Sequence, residues 1–334
     1  MAFRFMFIGP RHTSSFLLCW CLLAGILGCD GYRHAVLSSS SDDTWRAWQI
    51  LEANTGRLWA YGDWINELER SEIVYLGEEH YNPHHIEAAI RLLSSLMADG
   101  LRPALGMEMF GWDGQDAMDR YLSHEGTERG VFLDQAKWAS NWGGAYENYE
   151  PLVLFAKDRR VPIRAMNPPK TLIRRVVKLG LTKAQAGTEW QQWGLSPEDI
   201  IDDPDYRAKI LDQLRRCHGG GAETDYQSMY DASMVRDEGM AQTVVSTLKG
   251  MRQEPPARGP LVLSYTGGGH IQYNLPVPRR VARRLAGSVR QTTVYLASFD
   301  PTRAPEIREL LQEHIADFIW LTPMGPGGPV QRCR

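Results

Sequence analysis

Cysteine is scarce in this chain, with five in 334 residues. Cys19, Cys21 and Cys29 fall at the amino terminus, and only Cys217 and Cys333 lie beyond it. So few give no disulfide framework, although one Cys217–Cys333 bridge is allowed in an oxidising compartment. Charge of one sign is also missing. The 37 Lys+Arg and 40 Asp+Glu leave a net charge of −3, which offers no electrostatic footprint for nucleic acid. No Gly-x-x-x-x-Gly-Lys occurs, and no Gly-x-Gly-x-x-Gly follows a strand-like run, so the common phosphate and dinucleotide cradles are absent. The amino-terminal apolar run, Phe16 to Leu27, is about a dozen residues, too short to span ~30 Å of hydrocarbon as a helix.

That run, behind Arg4, Arg11 and His12, has the proportions of a secretory h-region. Ile26-Leu27-Gly28-Cys29 follows and resembles a bacterial lipobox, in which the signal is cut before a cysteine that carries the lipid. An ordinary signal with an incidental cysteine is the alternative. The expected organisation is a lipoprotein signal over 1–28, a Ser-rich tether over 29–44 and a folded domain over 45–320. A glycine- and proline-rich tail over 321–334 is expected to be poorly ordered. Lipidation at Cys29 would anchor the chain in the bacterial envelope. Asp30 next to it weakly favours the inner membrane facing the periplasm, and the outer membrane is the other option.

Residues 72–77, 103–109, 161–166, 259–266 and 292–297 are short apolar runs that read as buried strands. Helical patterns separate them, among them 83–98 and 227–249, and 45–51 also reads as a helix. The expected class is α/β, a mostly parallel sheet covered by helices on both faces. Three helical runs between about 168 and 235 come with no strand among them and read as a helical insertion or small subdomain. Arg279, Arg280, Arg283 and Arg284 fit one solvated helix face. The eleven Trp suit either a core or a flat ligand.

Two Gly-x-x-His units stand out, Gly77-Glu78-Glu79-His80 and Gly267-Gly268-Gly269-His270, each directly after a predicted strand. Ligand and catalytic groups of open α/β sheets gather past the carboxyl ends of the strands. Glu78, His80 and nearby His84 and His85 are therefore candidates for a metal site or for acid–base chemistry; a surface loop capped by Asn82 is the plain alternative. Glu108 sits among apolar neighbours at the end of the second strand and needs a partner if buried. Arg236 is positioned to supply one, unless it forms an ordinary surface pair. The expectation is that Glu78, His80, Glu108 and His270 share one cleft, with Arg236 or a divalent metal on His80, His270, Glu78 and Glu108 balancing the charge.

The segments Val74-Tyr75-Leu76-Gly77-Glu78-Glu79-His80-Tyr81-Asn82-Pro83-His84-His85, Gly106-Met107-Glu108-Met109-Phe110, Arg236-Asp237 and Gly267-Gly268-Gly269-His270 resemble, in order, the motifs of the ChaN-like family. That family comprises haem-binding, iron-regulated lipoproteins within the Tiki/TraB/erythromycin-esterase superfamily. The resemblance implies haem as cofactor and partner, a role in haem or iron acquisition, and a tyrosine iron ligand, for which Tyr226 and Tyr230 are candidates. A homodimer is among the expected partners. The superfamily also contains hydrolases, so a metal-dependent or Glu/His-dependent hydrolase of an ester, lactone or peptide is the alternative. In that case Glu78, His80, Glu108, Arg236 and His270 would be catalytic.

Overall fold

The computed structural model describes residues 45–123, 126–217 and 219–328. The signal segment, the tether and Cys29 lie outside them. The eight strands are β1 (Ile50–Glu52), β2 (Leu58–Trp59), β3 (Ile73–Glu78), β4 (Ala104–Gly111), β5 (Ile163–Asn167), β6 (Val262–Gly267), β7 (Gln291–Phe299) and β8 (Phe318–Pro323). They form one sheet in the order β2-β1-β8-β7-β3-β6-β4-β5. From β8 to β5 all neighbours are parallel, and β1 and β2 add an antiparallel edge.

Both faces of the sheet are covered. Val74 and Leu76 of β3 point into a core with Leu92, Leu93 and Leu152 from the helices Pro83–Ala98 and Glu150–Arg159. Ile73 and Tyr75 point the other way, against Val244 and Leu248 of the helix Glu223–Gln253 and Val281 of the helix Val277–Arg284. Continuous apolar strands are what two-sided burial requires. The helices between β5 and the long 223–253 helix contain no strand. They pack Leu172, Val176 and Trp190 on Val235.

Three expectations need correction. Residues 45–51 are not a helix. Trp48 has φ +71°, and Ile50–Glu52 pair with β8, so the sheet edge overrides the helical pattern. The segment expected to be poorly ordered from 321 begins inside β8, whose Leu321 pairs with Ala297 of β7. The arginine cluster is not a solvated face: Arg280 is buried, and Arg283 and Arg284 bond Glu238, which is fully buried. Cys217 is disulfide-bonded, and the other cysteines lie outside the described residues.

The chain runs from β3 to β4 on one side, then returns to place β6 between them before β7 joins the far side of β3. The direction of the connections thus reverses about β3 and β6, a switch point that opens a crevice at the carboxyl ends of the strands.

Candidate functional site

Glu78 is the last residue of β3 and is buried. The hydroxyls of Tyr149 and Tyr265 donate to its two carboxylate oxygens at 3.0 and 2.6 Å, and His80 Nδ1 lies 2.7 Å from Oε1. Burial pushes the Glu78 carboxyl up, opposed by His80 and the two tyrosines. Burial pushes His80 down, but the Glu78 hydrogen bond and the charges of Glu108 and Glu78 outweigh it, so its imidazole is raised. With Nδ1 held, Nε2 of His80 has no hydrogen-bond partner among the described residues.

Glu108 lies in β4 and is also buried. Arg236 NH2 reaches Oε1 at 2.5 Å, His270 Nε2 lies 3.2 Å from Oε1, and the Gly267 amide donates to Oε2 at 2.6 Å. Arg236 comes from the long 223–253 helix and also donates to Asn167 Oδ1 at 3.3 Å, at the end of β5. The next helix residue, Asp237, takes His270 Nδ1 at 2.5 Å, and its other oxygen accepts from the buried Tyr206 hydroxyl at 2.5 Å. His270 is raised to about 9: burial opposes its charge, and Glu108 and Asp237 outweigh burial. Burial alone would raise Glu108; the His270 and Arg236 charges instead hold it well below the ordinary carboxylate range. The cluster is therefore two carboxylates balanced by an imidazolium and a guanidinium, which is how buried charge becomes tolerable.

Gly267 holds the two halves together. A Cβ there would stand 2.8 Å from the His80 ring and 3.4 Å from Glu108 Oε2. A glycine is needed for so close an approach.

His80, Glu108 and Arg236 open onto a cleft of about 330 Å³, walled further by Tyr81, Trp142, Pro168, Lys170 and Ile173. Tyr81 has φ +67° and is 49% exposed. A bulky residue in the left-handed region marks a position worth functional scrutiny. The Trp142 ring stands edge-on to His80 at 5.1 Å.

The structure thus brings Glu78, His80, Glu108, Arg236 and His270 together around one strand-end crevice. It keeps other candidates apart. Tyr226 and Tyr230 are buried; Tyr226 Oη accepts from the Gly221 amide at 3.0 Å, and Tyr230 donates to Asp202 at 2.5 Å. Neither lines the cleft. His85 is buried and held near 3 by burial, with Nδ1 accepting from the Glu79 amide, and His84 pairs with Glu87. No group of three or more His, Cys, Asp or Glu among the described residues is arranged to hold a metal ion. Both His270 nitrogens and both Glu108 oxygens are already engaged, so a divalent metal on His80, His270, Glu78 and Glu108 is not supported. Asp237 was legible only as Arg236's neighbour. Nothing in the sequence marked Tyr149 and Tyr265 as partners of Glu78.

The profile described as haem-binding uptake, Tiki superfamily, ChaN matches residues 64–281. The chain belongs to the ChaN family. The match spans both Gly-x-x-His units and Arg236, so the network described above lies inside the ChaN region. No curated protein sequence matches the chain. A solved structure of ChaN from Campylobacter jejuni, with cofacial haem binding, is similar at a TM-score of 0.61 and 16% identity. The match covers 81% of this chain and 95% of that one, and it shows a shared fold. An erythromycin esterase mutant in its open conformation is more remote, at a TM-score of 0.42 and 14% identity over 75% of this chain and 76% of that one.

Proposed function

We propose that this ChaN-family chain binds haem at the mouth of the cleft and serves haem acquisition from an envelope anchor. Haem asks for an apolar slot and an axial Tyr, His, Cys or Met. Trp142, Pro168 and Ile173 offer the apolar walls, and Tyr81 and His80 offer donors. The observation that carries the reading is Tyr81: a half-exposed phenol held in the left-handed region at the rim of the cleft. Its hydroxyl would hold the haem iron, with His80 fixed beside it through Glu78. Haem itself supplies the iron centre; the chain only holds, orients and releases it. Lipidated Cys29 would be the anchor, and Asp30 favours the inner membrane. Titration of the mature protein with haem should give a saturable Soret change, and Tyr81→Phe should move the band or weaken binding roughly tenfold, about 1.4 kcal/mol. An identical titration and spectrum for Tyr81→Phe would remove Tyr81 as the ligand.

A second reading rests on a different observation. Nε2 of His80 has no partner among the described residues and stands beside the cleft, while Glu78, itself held by two tyrosine hydroxyls, fixes Nδ1. That is how a general base for water is oriented. The substrate would be an ester, lactone or peptide. His80→Ala should then abolish hydrolysis across a panel of such compounds; a panel with no turnover by the intact protein counts against this reading.

A further inference from the structure

The cleft does not end at Lys170. Asn141 and Lys170 also wall a second hollow of about 240 Å³, lined further by Lys137, Arg174, Asp113 and Glu189. Its charges are unevenly matched. Lys137 pairs with Asp113 at 3.1 Å, and Glu189 accepts from the Thr171 hydroxyl at 2.8 Å. Lys170 and Arg174 form no ion pair among the described residues. Burial, then the charges of Arg174 and Arg236, push the Lys170 ammonium down. Cations crowded together with too few anions favour an incoming negative group.

We propose that this annex is a carboxylate subsite that takes the propionate groups of a porphyrin whose ring lies at the mouth of the adjoining cleft. The inference rests on the haem reading and adds to it the part of the ligand that the annex recognises. The division of surface matches the division of the ligand. Trp142, Pro168 and Ile173 wall the cleft, Lys170 stands on the border of both hollows, and Arg174 lies in the annex. A porphyrin with propionates has a flat apolar body and a charged edge. Arg174 suits a carboxylate through its planar fork, and Lys170, shared by both hollows, suits one as a point charge.

The test compares haem with haem dimethyl ester, in which both propionates are neutral, by Soret titration in one detergent buffer. The intact protein should prefer haem by roughly tenfold or more, equivalent to about 1.4 kcal/mol, and the preference should shrink at high salt. The double variant Lys170→Met, Arg174→Gln should bind haem and its diester alike, and an unchanged circular-dichroism spectrum reports that it is folded. Equal affinity of the intact protein for both compounds would overturn the carboxylate subsite and leave the haem reading standing. So would a double variant that keeps the preference. Binding of neither compound would overturn the haem reading, and the subsite with it.

Discussion

Glu108 is the residue on which the cluster's charge balance turns, because it is buried and meets Arg236, His270 and the Gly267 amide at once. Arg236→Ala leaves that carboxylate with one cation instead of two. The expected loss is about 2–3 kcal/mol, in the range for hydrogen bonds to charged groups and below that for a fully buried pair, because Arg236 is partly exposed. Urea denaturation measures it; an unchanged midpoint would mean that the pair is decorative. His270 gives the same cluster a pH dependence. Its folded value of about 9 lies above its ordinary 6.5. The stability it contributes is therefore complete below pH 6.5 and is lost as pH rises through 9. His80 is raised in the same sense. Stability should decline from pH 6.5 to 9, by up to about 1.4 kcal/mol per pH unit for one such group. His270→Gln should flatten that decline, and equal slopes for the two proteins would contradict the assignment.

Among the elements, the 31-residue helix Glu223–Gln253 sets the site. Three successive residues serve four neighbours: Arg236 bonds Glu108, Asp237 holds His270, and Glu238 meets Arg283 and Arg284. Gly239 lets the helix approach this closely. A Cβ there would stand 2.3 Å from Pro168 Cγ and 3.1 Å from Trp112. Gly239→Ala should push the helix away, cost about 1–3 kcal/mol and weaken haem binding. Gly250→Ala, on the same helix with nothing within 4 Å, should instead stabilise by roughly 0.5–1 kcal/mol. Similar outcomes for the two variants would show that the Gly239 contact does not matter. The parallel strands could be read in the sequence because apolar, β-branched runs ending in glycine survive two-sided burial almost unbroken. Glu78 and Glu108 stood out for the same reason, as acids at the ends of such runs. The edge strand β1 was hidden because its pairing with β8 spans most of the chain. Tyr265, 187 residues from Glu78, was hidden by distance. Tyr81 was hidden by a backbone conformation that no local pattern encodes.

For the whole molecule, no helix among the described residues is long and apolar enough to cross a membrane. The envelope anchor proposed above is lipidated Cys29. Cys29→Ala should move the protein from the membrane to the soluble fraction of cells, and a variant that stays membrane-bound would contradict lipidation as the anchor. What the anchored domain would carry is the central claim. It rests on membership of a haem-binding uptake family and on a cleft with Tyr81 at its rim and, at its end, Lys170 and Arg174, which form no ion pair among the described residues. The most direct measurement is a visible-absorption titration of the purified mature protein with haem. The account predicts a saturable Soret change that the Lys170→Met, Arg174→Gln variant reaches only at higher haem. No Soret change at haem concentrations well above micromolar would contradict it.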